Sequence, residues 1–280
     1  MDSALAASAT SFGVPPPALA PGPARRILFN GCPLCGGRNS AALKLADCSH
    51  HPLFHPVVAP VMTWMQCKDC AHVYTDGYFS PAVLDVIFAR THEHQKPGAA
   101  FEQQRPVSAR MVECVARYIK DGPWLDVGFG NGSLLFTAQE WGFSPVGLDL
   151  RPSSVDVMRQ LGIEAHCIDI AAFDQSERFS VVSMADVLEH MPFPKTGLSA
   201  ARRLLRPDGI LFVSMPSYDC AAWRLLDTAN ANPFWGELEH FHNFSRTRLY
   251  TLMQEMGFEP IHYGVSERYR VCMEVIARRT

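Results

Sequence analysis

From Val107 to the C-terminus, apolar residues at helical spacing alternate with short apolar runs bounded by glycine, asparagine or aspartate. This is the pattern of βαβ units around a mainly parallel sheet. Met111, Val112, Val115, Ala116 and Ile119 share one face of a helix over 107–119. Strands are expected at 124–127, 146–149, 165–169, 179–185 and 210–215, and helices at 133–141, 152–161 and 196–205. A helix over 245–256, with Ser245 in front and Gly257 behind, precedes a closing strand pair at 258–265 and 271–278. The expected fold is α/β, with seven strands flanked by helices.

The first third of the chain lacks that rhythm. Residues 27–80 are rich in cysteine, histidine and proline and too poor in apolar side chains to build a core alone, so this small module needs a staple. Before it, residues 1–26 read as a disordered Ala/Ser/Pro leader. Up to Ala24 they carry Asp2 and no lysine or arginine, and Pro15, Pro16, Pro17, Pro21 and Pro23 break any signal-like apolar helix. A short helix over 81–90 and a polar stretch over 91–104 make residues 81–105 a linker, leaving 106–280 as the large domain.

Composition narrows the function. Of 280 residues, 48% are hydrophobic and 19% charged, with a net charge of −3, which suits a globular protein and excludes a strongly basic nucleic-acid binder. No apolar run approaches the roughly 18 residues needed to cross a bilayer, so no membrane span is expected. Among nine cysteines, Cys32/Cys35 and Cys67/Cys70 form two C-x2-C pairs. Each such turn aims two thiolates at one centre, and four soft ligands suit a closed, structural zinc ion. Paired thiolates of this kind point to a reducing compartment, and a cytoplasmic location is the expectation. Cys48, His50, His51 and His55, between the knuckles, read as a solvated loop, and Cys114, Cys167, Cys220 and Cys272 as core residues.

Gly128-x-Gly130-x-Gly132 stands where a strand passes into a helix, and Asp149 follows about 20 residues later at the end of the next strand, a nucleoside-binding arrangement. A dinucleotide loop would place Gly or Ala at position 133, where this chain has Ser. Asp126-Val127-Gly128-Phe129-Gly130-Asn131-Gly132 instead resembles the loop of class I S-adenosylmethionine (SAM)-dependent methyltransferases. So do Asp149, Asp169, the run Ala185–His190 and the run Leu204–Gly209, in that order. The resemblance implies a Rossmann-like sheet and SAM as cofactor, with Asp126 and the three glycines holding its methionine moiety. It implies further that Asp149 holds the ribose and Asp169 the adenine amine. The first module resembles the N-terminal zinc ribbon of a subset of these enzymes, including sugar C-methyltransferases, whose additional C-terminal domain has no counterpart before Thr280.

Methyl transfer requires an oriented acceptor and, for a hydroxyl or acidic carbon, a group that removes its proton. Two Glu-His pairs fall beyond the strand ends: Glu189-His190 and Glu239-His240. His240 is the favoured base, with Glu239 orienting it and His190 the alternative; in the resembling sugar enzymes the Glu-His equivalent to the second pair is implicated in acid/base work. Tyr218, Trp223, Phe234, Trp235, Phe241 and Phe244, with Tyr78 and Phe79, form either a substrate wall or the packing of an insert. The expected acceptor is a small polar or carbohydrate-linked molecule. The alternatives are a protein or RNA acceptor docked on the zinc module, a non-catalytic partner subunit and, least favoured, an NAD-dependent oxidoreductase.

Overall fold

The computed structural model of the chain describes residues 26–88 and 95–280. The expected leader up to residue 25, the end of the short helix and the stretch through residue 94 lie outside the described residues. The first module contains β1 (Ile27–Leu28), β2 (Ser40–Asp47), β3 (Val61–Cys67), β4 (Val73–Thr75) and β5 (Gly77–Tyr78), followed by α1 (Pro81–Phe88). Then come α2 (Phe101–Val115), β6 (Gly122–Val127), α3 (Ser133–Glu140), β7 (Phe143–Leu148), α4 (Pro152–Gln160), β8 (Glu164–His166) and β9 (Phe179–Ala185). The chain closes with α5 (Pro194–Leu204), β10 (Leu205–Pro216), α6 (Ala221–Thr228), β11 (His242–Asn243), α7 (Arg246–Glu255), β12 (Phe258–Val265) and β13 (Cys272–Arg279).

The large sheet has seven strands in the order β12-β13-β10-β9-β6-β7-β8. Strands β6 to β10 run parallel, and β13 lies antiparallel between β10 and β12. The fold is Rossmann-like α/β. From β6 the order grows one way through β7 and β8 and the other way through β9 and β10, so the carboxyl ends of β6 and β9 flank a switch point where a ligand crevice opens. Helices bury both faces. Met111, Val112 and Val115 of α2 and Leu134 and Ala138 of α3 pack on Trp124, Phe143 and Phe212. On the opposite side Leu198, Ala201 and Leu204 of α5 and Leu249, Leu252 and Met253 of α7 cover Val182, Leu211 and Val275. That double cover explains why β9 is buried from Phe179 to Met184 on both faces.

Expected and observed bounds coincide for β9 and β12 and agree within a few residues elsewhere, with three corrections. Helix α2 begins at Phe101, not Val107, so the polar run Phe101–Gln104 is helical rather than linker. Pro106 removes only the backbone bond to the carbonyl of residue 102, and an edge contact between Phe101 and Phe136, ring centres 5.7 Å apart, offsets the loss. Strand β8 ends at His166, three residues early, and Asp169 instead caps a short 3-10 turn at Ile170–Ala172. Cys167 is exposed rather than a core residue.

A second, antiparallel sheet has the order β11-β4-β3-β2. Its edge strand β11 comes from the far side of the large domain: His242 pairs with Tyr74 and Asn243 with Val73. Trp64, Val73, Phe79 and Val83 share one cluster with Trp223, Trp235, Leu238 and Phe241. The Trp64 indole N–H donates to the carbonyl of Trp235 at 2.8 Å. Most of the aromatics after β10 are therefore the missing half of the first module's core, and not the substrate wall considered from sequence.

Candidate active site

At the end of β6 the loop carries Gly128, Gly130 and Gly132 at φ of 68°, 55° and 79°, all in the left-handed region. A Cβ at Gly128 would press on Val187 and one at Gly132 on Met158, whereas one at Gly130 would meet no protein atom closer than 3.9 Å. The loop thus packs against the segment after β9 on one side and leaves its middle glycine open for a ligand. Asp126 is buried, with one oxygen accepting from the Ser183 hydroxyl at 2.6 Å. Burial pushes its carboxyl up to about 7, against the pull of that hydrogen bond.

Asp149 is 6% exposed at the end of β7. The Arg151 guanidinium grips both of its oxygens, at 2.8 and 2.6 Å, and the Arg151 backbone N–H adds a third bond at 2.9 Å. A carboxylate offers about four acceptor sites, so roughly one remains for a ribose hydroxyl while the fork is closed. Asp169 is exposed and accepts from the Ala171 backbone N–H at 2.8 Å. Arg151 carries no sequence signal of its own; it is found only once the turn after β7 folds it back.

The two Glu-His pairs, about 50 residues apart in sequence, meet beside this crevice. The Phe241 N–H donates to the Glu189 carbonyl at 2.8 Å. The His190 Nδ1–H donates to the Glu239 carbonyl at 3.2 Å, because a carbonyl can only accept. The His190 and His240 rings meet edge to face with centres 4.6 Å apart. Glu189 is 1% exposed and His240 7% exposed, and among the described residues neither Glu189 oxygen nor His240 Nδ1 has a hydrogen-bond partner. Burial, with Asp186 nearby, holds the Glu189 carboxyl well above the usual carboxylate range, and burial, with His190 nearby, holds the His240 imidazole well below its usual value. The Glu239 carboxylate does not turn toward His240; it lies 3.2 Å from His51 Nε2.

His51, expected in a solvated loop, is nearly buried. Its Nδ1 accepts from the Leu53 backbone N–H at 3.2 Å, so in the neutral ring the proton sits on Nε2, which donates to Glu237 at 2.9 Å. Burial opposes charge on this ring, but Glu237 and Glu239 outweigh it and raise its pKa. A second link runs through histidines. His242 Nε2–H donates to the Met191 carbonyl at 3.0 Å, which leaves its Nδ1 to accept from His72 Nε2–H at 3.0 Å.

The four knuckle cysteines converge. Cys32 and Cys70 sulfurs lie 3.7 Å apart and Cys35 and Cys67 sulfurs 3.6 Å apart, and all four fall within 4.8 Å of one another. Four thiolates about 2.3 Å from a tetrahedral zinc stand roughly 3.8 Å apart, so the residues fit the ion. Gly36 and Ala71, each just after a C-x2-C pair, take φ of 74° and 60° to close the two turns.

A seven-stranded sheet of this order, with a glycine loop after its first parallel strand and an acidic residue after the second, defines a class I methyltransferase fold. The chain belongs to the methyltransferase-domain family, whose model matches residues 99–263. It is similar to the ubiquinone biosynthesis O-methyltransferase of Xanthomonas oryzae pv. oryzae (strain PXO99A), 34% identical over 141 residues that make up 47% of this chain and 56% of that protein. The enzyme of the same name from Histophilus somni (strain 2336) is 29% identical over 136 residues, 44% of this chain and 57% of that protein. The chain thus spans little more than half the length of these curated relatives. Among solved structures, the Burkholderia thailandensis 1,6-didemethyltoxoflavin-N1-methyltransferase, solved with its substrate and S-adenosylhomocysteine, superposes with a TM-score of 0.56 at 18% identity, covering 76% of this chain and 97% of that one. The PH0226 protein of Pyrococcus horikoshii gives 0.55 at 16% identity, covering 69% and 98%.

Proposed function

We propose that this protein is a SAM-dependent methyltransferase that acts on a hydroxyl of a small polar acceptor, free or carbohydrate-linked. The observation that carries the reading is the meeting of two features at one switch point: an open glycine loop beside a buried carboxylate, and a buried Glu-His cluster on the adjoining segment. Bound SAM would supply a methyl group on a sulfonium, activated for in-line attack. Asp126 and the loop glycines would hold the methionine part, Asp149 the ribose through its remaining acceptor site, and Asp169 the adenine amine through its second oxygen. Glu189, His190 and His240 handle the acceptor's proton, with Glu239 fixing His190 through its carbonyl. The name O-methyltransferase borne by the ubiquinone-pathway relatives favours oxygen as the accepting atom.

The four cysteines would bind a structural zinc, since they leave no open position for substrate. Residues 27–80 form that zinc-ribbon module, and its role is to seat the 217–244 segment on which Glu239 and His240 lie. None of the nine cysteines forms a disulfide, which suits a reducing compartment such as the cytoplasm. The reading is tested by titrating SAM into the full chain by calorimetry and following labelled methyl from SAM into fractions of a cell extract. SAM binding with label in small molecules or glycans supports it; label in protein or RNA, or stabilisation by NAD alone, overturns it.

A further inference from the structure

The turn between β12 and β13 carries a guanidinium to the carboxyl edge of the large sheet, where β13 pairs with the end of β10. The turn is closed by its own backbone. Ser266 N–H donates to the Cys272 carbonyl at 3.0 Å, Cys272 N–H to the Tyr269 carbonyl at 2.7 Å, and Arg268 N–H to the Ser266 hydroxyl at 3.2 Å. From this base the Arg268 side chain reaches two other elements: Nη1 donates to Asp186 Oδ2 at 3.3 Å, and Nε to Gln104 Oε1 of α2 at 3.2 Å. Asp186 is a fixed support. It stands just past β9 at a φ of 55°, its N–H donates to the Ser214 carbonyl at 2.9 Å, and its Oδ1 accepts from the Ser214 hydroxyl at 3.0 Å. A guanidinium carries one N–H on Nε and a pair on each Nη. Among the described residues, the second Nη1–H and both donors of Nη2 have no protein partner, so the end of the fork is open.

Both supports border the part of the crevice assigned to the methionine moiety of SAM. The start of α2 lies on the glycine loop: Gly98 N–H donates to the Asn131 carbonyl at 3.0 Å, and the Asn131 side-chain amide to the Ala99 carbonyl at 2.9 Å. On the other side, β9 sets Ser183 against Asp126. Burial raises the Asp126 carboxyl, and the Ser183 hydrogen bond and the Arg268 charge both pull against it, so Arg268 is near enough for Asp126 to feel it. The second guanidinium at this edge, Arg151, is closed on Asp149. The methionine end of SAM carries an ammonium and a carboxylate. Asp126 suits the ammonium and offers nothing to the carboxylate, whereas an open guanidinium fork presents two parallel N–H groups that match one.

We propose that Arg268 binds the α-carboxylate of SAM through this open fork, with Asp186 and Gln104 as the residues that fix its direction. The inference rests on the methyltransferase reading and deepens it, since it adds a cofactor contact from the far end of the chain to those of the glycine loop.

The test is calorimetric titration of the full chain with SAM and with decarboxylated SAM, which keeps the adenosine, sulfonium and ammonium and lacks only the carboxylate. Wild type is expected to prefer SAM by about tenfold or more. Arg268→Gln should lose that preference, with SAM weakened by about the same factor and decarboxylated SAM nearly unchanged. Arg268→Lys, which restores the charge without the fork, should recover part of it. Arg270→Gln, an exposed arginine of the same turn, should leave both affinities at wild type. A preference that survives Arg268→Gln overturns the inference, and so does an equal loss for both ligands, which is what a merely structural role would give. A wild type that binds both ligands equally well overturns it and leaves the methyltransferase reading standing. A folded wild type that binds neither overturns both.

Discussion

His72 Nε2 donates to His242 Nδ1 across 3.0 Å, joining the turn that follows the second cysteine pair to the strand that follows Glu239-His240. His242 passes the link on through Nε2–H to the Met191 carbonyl, one residue beyond His190. Burial holds His242 down to about 4 and His72 well below its usual range, so the pair stays neutral across the physiological range. Replacing His242 with Phe leaves His72 Nε2 and the Met191 carbonyl without this partner, at about 1–3 kcal/mol for each polar group left unsatisfied. The expected outcome is a melting temperature lower by several degrees with zinc content unchanged, read by calorimetry and elemental analysis.

Asp149 and Arg151 should affect cofactor binding in opposite senses. Asp149→Asn removes a charge-assisted acceptor, worth about 1.5–3 kcal/mol, and should weaken SAM by ten- to a hundredfold. Arg151→Ala frees two acceptor sites and removes a cation from beside a cationic ligand, so SAM should bind several-fold more tightly. Calorimetric titration of the two variants checks both; weakening by both would make Arg151 part of the cofactor's own contacts.

The Asp126 carboxyl, raised to about 7 chiefly by burial, is largely protonated in the empty site below that pH. The SAM ammonium needs the ionised form, so apparent affinity should fall as pH drops below about 7, by at most about tenfold per unit. Asp126→Asn should bind weakly and with a flat profile between pH 6 and 8. Without ligand the sign for stability is reversed. The folded state keeps a proton that the unfolded chain releases near pH 4, so Asp126 costs stability as pH rises from there to about 7.

Exchanging Cys32 and Cys35 together for Ser should release zinc, whose binding contributes on the order of 10 kcal/mol in small modules. Because Trp64 and Trp235 share one cluster with Trp223, the loss should appear as a red shift of tryptophan emission, not only as a change in metal content. SAM affinity should change less than emission, since the glycine loop and Asp149 lie on the large sheet.

Much of this architecture is legible in the sequence because it is local. The strand that became β9 is a mostly apolar run broken only by Ser180 and Ser183, the glycine loop is a contiguous motif, and each cysteine pair is a single turn. What escaped is non-local. His51 meets Glu237 across 186 residues, and nothing in the spacing of either marks the other. The aromatics from Tyr218 to Phe241 show their apolar character but not which surface they cover. The start of α2 was obscured by Pro106, whose local rule was overridden by tertiary contacts of Phe101 and by Arg105, paired with Glu140 at 2.7 Å.

The seating of β11 on β4 also sets an order of events during synthesis. Residues 27–78 leave the ribosome early, yet the side chains that complete their core arrive only with Trp223, Trp235 and Phe241. The two cysteine turns are local and can form at once, but the hydrophobic surface of Trp64 and Val73 waits for some 150 further residues to be translated, at about 5–20 residues per second. For that interval the nascent chain carries a half-covered sheet, the stage at which a chaperone has most to hold. A truncated chain that stops before Phe241 would remain there.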